Sequence, residues 1–549
     1  MNIFTYFKKK GINTIDSSFY TQIKLWTSWY EANVTKFHHY YVYNGQNKIR
    51  CRRLSLGMAK KVSEDVADLL LNERVKINIG KSEKTAAFVE AVLDGNEFLV
   101  KGNDYQERKA YTGTVAYVLH MKDIEVDEDG NVMSGTEDNI QINYVQANNI
   151  FPISWENGRI KEVAFVFPKT INRKKYAVIQ LHRLRNIDGT RQYVIENNVV
   201  ECSSGAGKDV PYTEWANMEG LSGLAPEIKT GSDQPQFVMD KLNIVNNADK
   251  DDTNPMGIAI FANAIDVLAK IDLEYDSYAN EFDLGRKRIF VAPEMLNNVN
   301  GDPVFDENDT VFYQLPEDSL KDGKPIVEVN MTIRAEEHSK ALNDDLNFLS
   351  FKCGFGTERY KFEKGTVTTA TQVISENSDM YRTIKKHELV LQTAIEDLVY
   401  GIIRLGQQLR VPGITDDVEV TIDFDDSIIE DKETERKRDR EDVAMGAMGL
   451  AEYRAKWYGE DEEEAKKKLP EQNNPVLDTI PIKKTEGASG GVIPEVQSKT
   501  LNGAQTQSLL AIMAQFTSGD LTEGQAVKLI STSIGLTADE ARKVLNGEI

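Results

Sequence analysis

The chain has 549 residues, which at roughly 100–200 per domain means three or four units or one large elongated subunit. Hydrophobic residues at 40% and charged residues at 28% are ordinary globular values and exclude wholesale disorder. Lys and Arg number 65 against 87 Asp and Glu, a net charge of −22, which excludes a protein that clamps DNA tightly through its phosphates. The cysteines, Cys51, Cys202 and Cys353, are far apart, so they form neither a disulfide framework nor a Cys zinc site and fit a reducing cytoplasm. The amino end lacks the apolar region of a signal peptide. The most apolar stretch, Met256 to Leu268, is broken by Asn263 and Asp266, so no membrane partner is expected.

In chain order, Ser17 is a plausible N-cap for a helix carrying Phe19, Ile23, Trp26 and Tyr30 on one face. A second helix from about Leu56 to Asn72 aligns Met58, Val62, Val66 and Leu69, and Val75, Ile77 and Ile79 then alternate as a strand. From about Val115 to Val200 the pattern is a β-meander with a hairpin turn at Asp188-Gly189. The first 250 residues therefore read as an α+β body.

Pro255 opens a helix predicted from about Met256 to Leu284. Its polar side holds Asp266, Asp272, Glu274, Asp276, Glu281 and Asp283 against Lys270 alone, a lopsided count for a solvated face. Short β-like segments follow at Arg286–Val291, Val311–Tyr313 and Ile326–Val329, then a return helix from about Ile333 to Cys353. The two helices need each other's apolar faces, so the small module belongs at the far end of a two-helix stalk.

A glycine-bounded loop, Gly354 to Gly365, leads into a helix from Thr369 to about Leu409 with Ile374, Tyr381, Ile384, Leu391, Ile395, Leu398, Ile402 and Leu405 at helical spacing. Such a helix is about 60 Å long, which calls for a spine or a coiled coil. Pro412-Gly413 stops it, and Val418, Val420, Ile422 and Phe424 alternate as a strand able to return to the body's sheet. Asp425 to Lys468 reads as exposed, charge-laced helix with Met445, Met448, Leu450, Tyr453 and Trp457 to bury. Prolines and glycines mark a linker over 470–500. Leu509, Ile512 and Phe516 then form a helix, and capping boxes at Thr522/Gln525 and Thr537/Glu540 open two more.

No catalytic constellation survives inspection. Gly80-Lys81-Ser82 resembles the end of a phosphate-binding loop, but the glycine required five positions earlier is Val75. His387-Glu388 begins a zinc-protease pattern whose second ligand would be Leu391. Gly487–Gly491 has nucleophile-elbow spacing without a preceding strand. Glu125, Asp127, Asp129 and Gly130 give half a calcium loop with Thr136 at the twelfth position, so an acidic hairpin turn is the better reading. The adjacent pair His38-His39 lies in an aromatic run and reads as packing. No catalytic residue, metal or cofactor is expected.

The order of parts, with Gly57–Leu70, Thr368–Ser378 and Glu452-Tyr453-Arg454 with Trp457 as local matches, resembles the portal proteins of tailed bacteriophages, especially the Gram-positive siphophage type. The likeness covers about residues 15–470. It implies an α+β portal fold with residues 1–255 as wing, 256–284 and 333–353 as stem, and 285–332 as a small α/β clip. Residues 354–368 would be the tunnel loop, 369–426 the long helix and a strand returning to the wing, and 427–470 the helical crown. A linker (471–500) and a C-terminal helical unit (501–549) would follow. The resemblance also implies a ring, usually of twelve copies, assembled in the host cytoplasm and carried at one capsid vertex of the virion. Its partners would be double-stranded DNA in the channel, the terminase motor, the head–tail adaptor, and the major capsid and scaffold proteins.

The chemistry suits that role. Twelve helices spaced about 10 Å apart make a circle roughly 38 Å across, leaving about 28 Å inside for duplex DNA roughly 20 Å wide. Twelve chains at −22 carry about −264, and acidic walls keep phosphates from sticking. Arg359, Lys361 and Lys364, in a loop made flexible by Gly354, Gly356 and Gly365, are the candidate DNA contacts; a mixed-charge surface loop is the competing reading. Arg286-Lys287-Arg288 is a candidate docking edge for the adaptor or motor, against a strand with exposed positive ends. Two alternatives remain: a DNA-processing phage enzyme such as the large terminase subunit, which needs the phosphate loop that Val75 breaks, and a soluble scaffold with a coiled-coil spine.

Overall fold

The computed structural model describes residues 1–43, 45–123, 135–203, 205–221, 223–285, 288–291, 312–314, 326–329, 332–362, 370–424, 432–458, 465–468, 512, 516, 521–534 and 537–546. The half calcium loop and the 470–500 linker lie outside the described residues. The chain divides into two units, Met1–Gly449 and Leu450–Ile549.

In the first unit, helix Ser17–Tyr30 buries Phe19, Ile23 and Trp26. Its cap is Asp16, not Ser17: the Asp16 carboxylate accepts the Ser18 N–H at 2.7 Å from backbone that is still extended, as an N-cap must be. Helix Met58–Leu70 packs on Phe98–Thr112. That partner and the preceding helix Glu83–Gly95 have no counterpart in the sequence expectations. Ser82 of the Gly80-Lys81-Ser82 triplet caps Glu83–Gly95, its hydroxyl accepting the Thr85 N–H at 3.3 Å.

The meander is a sheet taken in sequence order: Ile150–Glu156, Arg159–Ile171, Lys174–Ile187, Thr190–Glu201 and Lys208–Val210, with Glu227–Lys229 also pairing Thr190–Glu201. Three of its hairpins turn on two residues with positive φ: Asn157-Gly158, Asn172-Arg173 and Asp188-Gly189. These left-handed pairs match the twist of the flanking strands. A second sheet places Thr114–Met121 between Phe237–Lys241 and Ile140–Gln146, all antiparallel.

The helix expected from Met256 begins at Ile265. Met256–Phe261 is instead a buried thread that is neither helix nor strand: the Ile260 N–H reaches the Ala110 carbonyl at 2.8 Å, and the Gly257 N–H the Thr114 hydroxyl at 2.8 Å. A Cβ on Gly113, at φ +84, would lie 2.3 Å from the Gly257 backbone, so only glycine permits the crossing. An unbroken apolar run without a polar face fits a segment enclosed on all sides rather than an amphipathic helix.

The long helix, Ala370–Gln408, has 39 residues. Ile384, Leu391, Ile395, Leu398, Ile402 and Leu405 are buried and Tyr381 is half-buried, whereas the Ile374 side chain lies outside the described residues. The helix lies against strands Thr114–Met121 and Phe237–Lys241 and helices Met58–Leu70 and Glu83–Gly95. Of the two explanations for its length, the spine holds, because its apolar stripe is spent on its own body. Two helical glycines permit that seat: a Cβ on Gly401 would come within 2.5 Å of Leu119, and one on Gly406 within 2.6 Å of Phe88. Beyond it, Glu419–Asp423 pairs antiparallel with Lys76–Gly80 in a two-stranded sheet separate from the larger ones.

Between the helices Ile265–Leu284 and Ala335–Lys352 a three-stranded sheet centres on Arg288–Val291, parallel to Phe312–Gln314 and antiparallel to Ile326–Val329. The charge-dense region forms helix Lys432–Met445, ended by Gly446 at φ +74. In the second unit, Leu450–Tyr458 buries Tyr453, and helices Glu523–Ile534 and Ala538–Asn546 bury Ala526, Val527, Ile530 and Ala541 with Ile512. The Thr522 N–H donates to Gln525 Oε1 at 3.0 Å, the return half of the expected capping box. Among the described residues no helix is long and apolar enough to cross a membrane.

Candidate functional site: the helix pair and the glycine-bounded loop

Helices Ile265–Leu284 and Ala335–Lys352 run antiparallel: Lys270 Nζ meets Asp345 Oδ1 at 2.7 Å near one end, and Glu281 meets Arg334 and His338 at the other. Arg334 grips Glu281 through its backbone N–H at 2.9 Å and its guanidinium at 3.0 and 3.1 Å. These donors hold the Glu281 carboxyl down to about 2. His338 also stacks on Tyr278, centroids 5.2 Å apart, and lies 3.5 Å from Glu274.

The six carboxylates of the first helix therefore do not form one solvated face. Asp272 is buried, accepting from His38 Nε2 at 2.9 Å and from the Leu56 N–H at 2.9 Å. Asp276, also buried, accepts the Leu54 N–H at 2.9 Å and lies 3.9 Å from Arg53. One turn apart, the two acids fasten both ends of residues 39–52 to the helix, through the His38 side chain before them and the Leu54 and Leu56 N–H groups after them. His38, expected as mere packing, is a polar anchor in this fastening.

The first half of the glycine-bounded loop is docked. Phe355 and Tyr360 are buried and meet edge-to-face at 6.2 Å, and the Phe362 N–H donates to Asn343 Oδ1 at 3.1 Å. Gly354 and Gly356 adopt φ +82 and +78, and a Cβ on Gly354 would lie 2.6 Å from the Thr383 hydroxyl. Gly354 serves a tight turn against the long helix, and Gly356 supplies a second left-handed turn. Arg359 and Lys361 do not converge on one point. Arg359 lies 3.8 Å from Asp65, which Lys61 also contacts at 2.7 Å, and Lys361 lies 3.6 Å from Glu358. Both cations remain about one-third exposed. Lys364, Arg286 and Lys287 lie outside the described residues, and Arg288 heads the central strand of the small sheet.

One polar site escaped the sequence altogether. Lys109 Nζ, with no exposure, contacts both Asp240 oxygens at 2.9 and 3.0 Å, while Gln106 donates to Asp240 at 2.8 Å and to the Tyr117 hydroxyl at 2.9 Å. Burial outweighs the Asp240 charge and lowers the Lys109 ammonium below the ordinary lysine value. On the long helix nearby, His387 Nδ1 accepts the Asn243 N–H at 3.0 Å, and burial holds the imidazole down to about 3. His387 is thus a buried brace rather than a metal ligand. A cation spaced among apolar helix positions, with an acid inside a strand, was the available signal.

A helix pair carrying a small sheet, joined by a docked loop to a 39-residue helix seated on an α+β body, is a structural scaffold. The family described as phage portal protein, SPP1 Gp6-like, matches residues 9–474. The chain belongs to that family: it is a bacteriophage portal protein, the head–tail connector of a tailed phage and a structural component rather than an enzyme. Nothing in the match favours a terminase. No individual curated protein matches the chain.

Proposed function

We propose that copies of this portal protein close into a ring, of twelve chains on the family's usual pattern, at one capsid vertex, and that double-stranded DNA passes through it during packaging and ejection. In this reading 1–255 is the wing, 256–284 and 333–353 the stem, 285–332 the clip, 354–368 the tunnel loop and 427–470 the crown. The terminase motor and then the head–tail adaptor dock on the clip, with Arg286, Lys287 and Arg288 on the docking edge. Capsid and scaffold proteins surround the wing.

The observation that carries it is the order, among the described residues inside the matched range 9–474, of helix, small sheet, helix, loop and 39-residue helix. Net charge of −22 per chain supports a slippery passage, since an acidic wall repels phosphates. At least four of the six carboxylates on the first helix have internal partners, so in this reading the repulsion would come mainly from acids elsewhere. Arg359, Lys361 and Lys364 are the proposed transient phosphate contacts, and Arg359 would have to exchange Asp65 for DNA.

Class-averaged electron micrographs of the purified 61.8 kDa chain should show annuli of about 740 kDa if twelve copies assemble. Particles that never close, alone or with shell proteins, would overturn the ring. Within intact rings, replacing Arg359, Lys361 and Lys364 together by Ala should lower retention of packaged DNA; unchanged retention discards the loop's role.

A further inference from the structure

Residues 32–63 contain Lys36, Lys48, Arg50, Arg52, Arg53, Lys60 and Lys61 and no Asp or Glu, in a chain of net −22. The middle of this stretch is a two-stranded hairpin, His39–Tyr43 with Lys48–Arg52. Register sets His39 opposite Arg52, Tyr41 opposite Arg50 and Tyr43 opposite Lys48, so one face consists of aromatic rings and cations. The other face carries Tyr40, Cys51, Val42 and Ile49.

The fold covers neither face well: Tyr43 is 70% exposed on one and Ile49 46% on the other. A two-stranded ribbon that buries neither face is marginal in water and weakly held in register. Its root is different. His38, Leu54 and Leu56 are fastened to Asp272 and Asp276, and Arg53 stacks on Phe37 and Tyr40 at 4.2 and 5.0 Å. The hairpin is an arm on a fixed mount, presenting one cationic and one apolar face.

Phosphates would satisfy the cations of the first face but leave its exposed Tyr41 and Tyr43 rings without apolar cover, which a protein surface supplies. The complementary surface exists on this chain. Helix Ala335–Lys352 exposes a stripe of Glu337, Asp344, Phe348 and Phe351, with Lys340 between the acids and Phe351 66% exposed. Lengths agree: Lys48 to Arg52 spans about 13 Å of strand, and Glu337 to Asp344 about 10 Å of helix, followed by the two phenylalanines. A closed ring is built from heterologous contacts, two different patches on each copy, and hairpin and stripe are such a pair. We infer that the hairpin of one copy docks on the Glu337–Phe351 stripe of the adjacent copy, its cations meeting the carboxylates and the exposed Tyr41 and Tyr43 rings of the same face lying over the phenylalanines. This rests on the ring reading above.

A charge swap tests it by sedimentation velocity of the full chain. Lys48→Glu with Arg50→Glu and Arg52→Glu, and separately Glu337→Lys with Asp344→Lys, should each move mass from ring to monomer by at least about tenfold. Combining both sets should restore the ring, which a general folding defect could not do. The inference is overturned if the hairpin variant assembles like wild type, or if the combined variant assembles no better than either set alone. It also fails if rings persist while affinity for a duplex DNA probe drops, because the hairpin is then a nucleic-acid site. Wild type that forms no ring at all defeats the ring reading itself, a separate result.

Discussion

The body beneath the long helix and the paired helices Ile265–Leu284 and Ala335–Lys352 use the same residue types to different ends. In the body, Lys109 and Asp240 are sealed from water, and every partner is a side chain within the core. In the helix pair, Arg334 and Glu281 meet where Arg334 stays largely exposed, while Asp272 and Asp276 take backbone N–H groups from a distant segment. The contrast teaches that an acid's energetic weight follows from what it would leave unsatisfied, not from its having a cation nearby. Removing one member of a sealed pair strands a charge; removing one member of an exposed pair returns the other to water.

Lys109→Met is the harshest test of this contrast. It leaves Asp240 buried without its cation and should cost about 3–5 kcal/mol in urea or thermal unfolding. A cost comparable to that of a surface substitution would erase the distinction.

A second test uses pH. Burial holds His182 and His387 down to about 3, against an ordinary 6.5. Because the folded values are depressed, the unfolded chain takes up these protons first as pH falls. Their stabilisation is complete above about 6.5 and is lost as pH drops towards 3, about 2 kcal/mol for each histidine between pH 7 and pH 5. His387→Gln, which keeps an acceptor for the Asn243 N–H, should flatten the pH dependence of the melting temperature between pH 7 and pH 5. An unaltered slope would mean that His387 is not sealed.

The smallest effect belongs to the helix pair. Arg334→Ala should leave the melting temperature close to that of wild type, since salt and water screen its contact with Glu281. A large drop would mean that this pair is as sealed as the one in the body.

The legible parts of the fold were those whose cause is local. The strands from Ile140 to Glu201 are rich in β-branched and aromatic residues, Asp188-Gly189 supplies the left-handed hairpin turn between two of them, and the long helix repeats its apolar residues along its length. What stayed hidden depends on distant partners. The acidic excess around Asp272 and Asp276 was visible, but not its internal partners, because His38, Leu54 and Leu56 lie 234, 222 and 216 residues away. Helix Phe98–Thr112 lacks a clean apolar stripe because Gln106 and Lys109 are among its buried residues. Met256–Phe261 carries an apolar run that a buried helix and an enclosed non-helical segment share, so its length alone does not separate them. In the loop, composition marked Arg359 and Lys361, but Asp65, which holds one of them, comes from the body helix.

The two glycines at 401 and 406 have a mechanical corollary. With Leu119 and Phe88 seated where side chains would otherwise stand, a slip of the long helix by a turn would bring other residues' side chains against them at both positions. An axial shove at its Ala370 end would move helix and body together, as a strut moves with its frame.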